Sequence, residues 1–203
     1  MSFHPQMEYA PARWHRSDRK LADPGEAFRY TAENQAKFDE LVTHYPSEQR
    51  KSAIIYALFL VQQQQGYISG ASMQFVAEQI GCTSADVEDV VSYYTMFYTK
   101  PVGKYVINIC RTLSCALRGA ERVTEEIAET LGILPGQTTA DRMFTLMEVE
   151  CLGACDRGPV VMINDDHWHE ELQPERVNEF LEGLRARGVQ SLTGCHLCVE
   201  ARK

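Results

Sequence analysis

Four cysteines that arrive as two close pairs constrain this chain more than any other feature. Cys110-Arg-Thr-Leu-Ser-Cys115 is a C-x4-C pair, and Cys151-Leu-Gly-Ala-Cys155 is a C-x3-C pair. Each directly follows a short apolar, β-prone run, residues 105–109 before the first and 144–149 before the second. Strands that end on one edge of a sheet bring their following loops together, so this pattern can deliver four thiolates to one place. Four soft ligands suit a [2Fe–2S] cluster, with two thiolates on each iron, or a structural zinc ion, whose ligand spacings overlap these. A redox dithiol of the thioredoxin type needs C-x-x-C at a helix start, which the first loop lacks.

The compartment bears on that choice. Seven cysteines in a secreted chain would read as disulfides, yet the start, Met-Ser-Phe-His-Pro-Gln-Met-Glu, has no apolar signal region. Arg13, Arg16, Arg19 and Lys20 match a mitochondrial transit peptide poorly, because Glu8 and Asp18 stand among them. A reducing compartment is the expectation, and there clustered thiols point to metal or redox chemistry. The net charge of −8 over 203 residues argues against nonspecific binding to nucleic acid or anionic lipid. The longest apolar run, residues 53–61, falls far short of the roughly 18 residues of a membrane span, so no direct membrane insertion is expected.

Along the chain, residues 1–29 carry prolines and scattered charge without periodicity and read as an arm. Residues 30–100 read as a helical bundle. A helix over 32–44 stops before Pro46, and a second, N-capped by Ser47, runs to Gly66 and is apolar almost all round. Its end, residues 62–65, is four glutamines and reads as a polar helix terminus. Met73, Val76, Ala77 and Ile80 repeat at helical spacing, and so do Val87, Val90, Val91 and Tyr94 behind a Thr83 or Ser84 cap. Two helices around Gly81 also fit a DNA-binding helix-turn-helix, but Asp86, Glu88 and Asp89 would face phosphates, so the bundle is preferred.

Pro101 and Gly103 break the helical rhythm, and residues 101–186 read as a second domain. The expected order is a strand over 105–109, a helix from Cys115 to Leu131, strands over 144–149, 160–164 and 167–169, and a helix opened by Pro174. That β-α-β-β-β-α order suits a small thioredoxin-like α/β sandwich, giving an α+β chain overall. Helix N-terminal N–H groups at Cys115 and the absence of a Cβ at Gly153 suit anionic sulfur. Arg111 and Arg157 stand next to loop cysteines and could offset that charge, lie solvated, or meet a partner. His167 and His169 alternate around Trp168 and read as exposed polar positions, while Cys82 reads as a small apolar residue. Residues 187–203 form a tail holding Cys195-His-Leu-Cys198, read as packing on a partner in preference to half a zinc site.

These residues resemble a known family. The C-x4-C loop, the run from Met143 to Pro159 (Met-Phe-Thr-Leu-Met-Glu-Val-Glu-Cys-Leu-Gly-Ala-Cys-Asp-Arg-Gly-Pro), Leu134-Pro-Gly-Gln-Thr-Thr139 and Pro174-Glu-Arg-Val177 are similar to the 24-kilodalton [2Fe–2S] subunit of respiratory complex I, NADH:quinone oxidoreductase. Tyr93-Tyr-Thr-Met-Phe97 ahead of Pro-Val-Gly is similar to the leader domain of that family, so the resemblance spans residues 30–186. It implies a helical bundle followed by a thioredoxin-like ferredoxin domain, with one [2Fe–2S] cluster on Cys110, Cys115, Cys151 and Cys155 and no catalytic side chain. It also implies a flavoprotein partner that binds FMN and NADH, the large iron–sulfur subunit as a further partner, and no nucleic acid. The expected location is peripheral, on the cytoplasmic side of a bacterial inner membrane or the matrix side of a mitochondrial one. Diaphorase subunits of NAD-linked hydrogenases and formate dehydrogenases are similar, and a zinc-stabilised interaction module is the competing non-redox reading.

Overall fold

The computed structural model describes residues 27–193. The Cys195–Cys198 pair and most of the N-terminal arm lie outside the described residues. Two compact units follow one another, the first reaching Pro101 and the second beginning at Val102.

The first unit is helical, with α1 (Ala32–Val42), α2 (Ile54–Gln65), α3 (Gly70–Ile80) and α4 (Ser84–Tyr93). α2 buries Ile54, Ala57, Leu58, Leu60 and Val61, and Phe38, Met73, Val76, Ile80, Val87 and Val91 from the other helices complete its core. Full burial of each such aliphatic side chain stabilises the fold by about 1.5–3 kcal/mol. α3 and α4 start with reciprocal capping boxes, Ser69 with Ser72 and Thr83 with Asp86.

Three expectations change here. α1 ends at Val42, two residues short of His44. Ser47 caps nothing: residues Ser47–Ala53 form a 3₁₀ segment with Gln49 off helical geometry, and the Ser47 hydroxyl turns to Glu48. A run of Ser-Glu-Gln-Arg-Lys-Ser offers no apolar stripe to hold a regular α-helix against a core. The glutamines that end α2 also do more than face water. Gln62 donates to Met96 O and accepts from Tyr98 N, while Gln64 donates to Arg29 O and accepts from Thr31 N. Gln62 pins the segment that leaves α4, and Gln64 pins the one that enters α1.

The second unit is a four-stranded sheet of β1 (Tyr105–Cys110), β2 (Phe144–Val149), β3 (Val161–Ile163) and β4 (His167–His169) in the order β2-β1-β3-β4. β2 lies parallel to β1, with Cys110 opposite Val149, while β3 and β4 run antiparallel. A parallel pair requires a crossover, supplied by α5 (Leu113–Leu117) and α6 (Ala120–Leu131), and α7 (Val177–Arg187) follows the sheet. Ile107, Ile109, Phe144, Leu146, Val161 and Ile163 pack against Val123 and Ile127 of α6 and Val177, Leu181 and Leu184 of α7. The order of elements is as the sequence suggests, with three local differences. The crossover is two helices, because Gly119 takes φ 94° between them. β3 is Val161–Ile163, and the hairpin turns on Asn164 and Asp165 at positive φ. Pro174 opens a 3₁₀ turn, Pro174–Arg176, before α7 proper.

Gly103 enters this unit against β2. A Cβ there would lie 2.8 Å from the backbone carbon of Phe144 and 2.9 Å from its nitrogen. Its own N–H donates to the Thr145 hydroxyl at 2.7 Å, which fixes the chain as β1 begins.

Candidate metal centre

β1 and β2 are neighbours and parallel, so the loops that leave them emerge from the same edge of the sheet. Arg111 N–H donates to Val149 O at 3.0 Å, which ties the two exits together immediately before the cysteines. Cys110 closes β1, and Cys115 lies inside α5 rather than at its first residue, which corrects the expectation of a helix beginning there. Both are 2% exposed, whereas Cys151 and Cys155 are exposed, so the centre is buried on one side and open on the other.

The four thiols gather two and two. Cys151 Sγ and Cys155 Sγ are 3.3 Å apart, and Cys110 and Cys115 interact through their own thiols. Backbone donors face the sulfurs. Gly153 N–H points at Cys151 Sγ at 3.4 Å, Leu152 N–H and Thr112 N–H at Cys110, and Val160 N–H at Cys115. The Thr112 hydroxyl lies 3.0 Å from Cys110 Sγ and also reaches Cys151. Gly153 takes φ 86°, a conformation open to glycine, and this turns its N–H back onto the preceding cysteine.

These contacts set the two members of each pair apart. Burial pushes Cys110 up, but the hydroxyl of Thr112 and the N–H groups of Leu152 and Thr112 outweigh it and hold the thiol below its usual range. Burial pushes Cys115 up to about 11. The Gly153 N–H, then the Cys155 thiol, hold Cys151 low, while sharing a hydrogen bond with Cys151 raises Cys155. Four thiols divided two and two fit the two tetrahedral irons of a [2Fe–2S] cluster.

The neighbouring charges are largely spoken for. Arg111 Nη2 pairs with Glu150 Oε1 at 2.7 Å and Arg157 Nε with Asp156 Oδ2 at 3.6 Å, so each arginine beside a cysteine is offset by a surface carboxylate. Arg118 Nη1 donates to Asp156 O at 3.4 Å and Nη2 pairs with Glu171 at 3.7 Å, linking the end of α5 to the second cysteine loop. His167 and His169 take no part. His169, expected at the surface, is 6% exposed, packed at a tilt against the Phe180 ring with centroids 4.8 Å apart, and accepting from Thr193 N–H through Nδ1 at 3.2 Å. Cys82 is half-buried against the helical core.

Sequence reasoning overlooks two residues of the centre. Thr112 carries a signal in hindsight, since it is a hydroxyl inside a cysteine loop. Gly158 carries none before the fold is known: a Cβ there would meet Cys115 Sγ at 3.1 Å and Cα at 3.3 Å, so it is the floor on which Cys115 rests.

A four-stranded sheet of this order, whose two parallel strands deliver paired thiols to one edge, is a thioredoxin-like scaffold carrying a candidate metal centre. Comparison with known proteins agrees. Residues 38–185 match the family model described as thioredoxin-like [2Fe-2S] ferredoxin, and the chain belongs to that family. It is 40% identical over 154 residues to NADH-quinone oxidoreductase subunit 2 of Thermus thermophilus, covering 76% of this chain and 85% of the relative. It is 38% identical over 159 residues to an NADH-quinone oxidoreductase subunit of Rickettsia bellii, covering 78% and 95%. Among solved structures, the NAD+-reducing [NiFe]-hydrogenase in its air-oxidised state matches with a TM-score of 0.58 at 20% identity, over 70% of this chain and 24% of that one, a likeness of fold. No helix among the described residues is long and apolar enough to cross a membrane.

Proposed function

We propose that this chain is the electron-transfer subunit of an NADH:quinone oxidoreductase, with Cys110, Cys115, Cys151 and Cys155 holding one [2Fe–2S] cluster. The observation that carries the reading is the pairing of the thiols at the ends of two adjacent parallel strands, together with the identity to NADH-quinone oxidoreductase subunits. Bound there, the cluster supplies one-electron chemistry, exchanged with the FMN of an adjacent NADH-binding subunit.

The chain itself contributes position and electrostatics. Cys110 and Cys115 hold one side of the centre away from water, the Gly153, Leu152 and Val160 N–H groups balance anionic sulfur, and exposed Cys151 and Cys155 mark the open side toward a redox partner. Residues 30–100 form the helical domain and 101–186 the ferredoxin domain of this reading. The flavoprotein and the large iron–sulfur subunit are its partners, on the cytoplasmic or matrix face of the membrane that carries the complex. A diaphorase role in an NAD-linked hydrogenase is the second reading, favoured by the shared fold but at half the identity of the quinone-reductase relatives.

The test is affinity purification of the full chain from its own cells. An FMN-containing protein should elute with it, and NADH should bleach the cluster absorption of that complex but leave the isolated chain unchanged. Elution with a hydrogenase large subunit would support the second reading, and bleaching of the isolated chain by NADH would contradict both.

A further inference from the structure

Among the described residues, the serines and threonines at α-helix N-caps behave alike with one exception. Thr31, Ser69 and Thr83 stand at the N-caps of α1, α3 and α4, and each side chain accepts the backbone N–H three residues on. Thr112 stands at the N-cap of α5 with the same extended backbone, φ −74° and ψ 165°, yet it makes no capping bond. Its hydroxyl lies instead 3.0 Å from Cys110 Sγ and reaches across to Cys151 of the second loop. A capping bond is the usual local use of such a hydroxyl and is worth about 1 kcal/mol. Here that bond is absent, and the contact that takes its place is with sulfur.

We infer that the Thr112 hydroxyl donates a hydrogen bond to the ligand sulfur of Cys110 and thereby raises the reduction potential of the cluster. This rests on the cluster reading above. With free thiols either atom of the pair can donate, but a sulfur that ligates iron carries no proton, so the hydroxyl becomes the only donor between them. Reduction adds negative charge that spreads onto the thiolate ligands, and a fixed donor stabilises the more negative state more strongly. The backbone donors at Cys110 persist whatever the side chain. The hydroxyl is therefore the part of this network that sequence can vary: Ser and Thr retain it, while Val and Ala remove it.

The full chain is purified anaerobically as wild type, Thr112→Val, Thr112→Ala and Thr112→Ser. Iron and sulfide are assayed, and each protein is titrated potentiometrically with the reduced-state EPR signal as readout. Thr112→Val and Thr112→Ala should hold the cluster and be harder to reduce. The equilibrium constant for reduction should fall about tenfold, or about 59 mV for a one-electron couple, with Thr112→Ser close to wild type. Because no capping bond is lost, thermal stability should change little in all three. Intact clusters with unchanged potentials would overturn the inference, as would loss of the cluster in both Val and Ala variants, which would make Thr112 a structural residue. A wild-type chain without iron would instead remove the cluster reading itself.

Discussion

Replacing Gly158 by alanine should damage the centre although no ligand is touched. Gly158 has φ −64° and ψ 156°, which any residue adopts, so backbone strain plays no part. The effect is contact alone. The new Cβ would stand 3.1 Å from Cys115 Sγ, 3.3 Å from Cys115 Cα and 3.6 Å from its nitrogen, close enough that a neighbour must move by a few tenths of an ångström. Cys115 is buried, its sulfur is held by Val160 N–H, and it sits mid-helix in α5, so its retreat displaces the whole first loop relative to the second. Overpacking of this kind costs about 1–3 kcal/mol. In a unit of this size that lowers the melting temperature by about 5 °C or more. Iron content should fall with it, since the two sulfur pairs no longer meet at the spacing they have here. The assay is iron and sulfide per chain alongside thermal unfolding followed by circular dichroism. A Gly158→Ala protein with full iron and an unchanged melting temperature would refute the reasoning that Cys115 rests on this glycine.

Three other outcomes follow from the same structure. Gly103→Ala should be still more disruptive, because the obstructing atoms at 2.8 and 2.9 Å are backbone atoms of Phe144 and cannot rotate away; failure to lower the melting temperature would contradict the described register. Cys151→Ala should remove the reduced-state EPR signal while the far-ultraviolet spectrum stays that of a folded chain; an unchanged signal would remove Cys151 from the ligand set. His169 is held neutral, its pKa lowered to about 4 by burial and by Arg176 against the opposing pull of Glu179. The unfolded chain therefore binds the proton first, and His169 contributes stability that is whole above pH ~6.5 and is lost as pH falls toward about 4. Urea unfolding across that window should show the slope, and His169→Gln should flatten it; an unaltered slope would show that other groups set it.

The legible parts of this fold are those that one physical rule controls. Tyr105–Cys110 and Phe144–Val149 are uniform enough in apolar, β-branched character to be read as strands without tertiary information, and their cysteines mark where they end. The end of α3 and the start of α4 follow from the left-handed Gly81 and the Thr83 cap, while the Ser69 cap that opens α3 appears only in the structure. Where two rules compete, the sequence is silent. Gly119 interrupts an otherwise continuous helical pattern, and only the need to seat Cys115 beneath the sheet edge and still lay Val123 and Ile127 on the core explains a break there. His169 alternates with a half-buried Trp168 as a surface strand would, yet α7 and Thr193 cover it, and no local pattern announces a covering that comes from elsewhere in the chain. At the centre, the thiols are visible as pairs. Thr112 and Gly158 are not, because a hydroxyl turned from its cap and a glycine chosen for one contact declare themselves only in three dimensions.

The most direct test of the account is the absorption and EPR spectrum of the anaerobically purified chain, before and after dithionite, with metal and sulfide assayed on the same sample. The account predicts a brown protein with about two irons and two sulfides per chain that bleaches on reduction and shows a rhombic spin-half signal. A colourless, EPR-silent protein containing one zinc ion would contradict it.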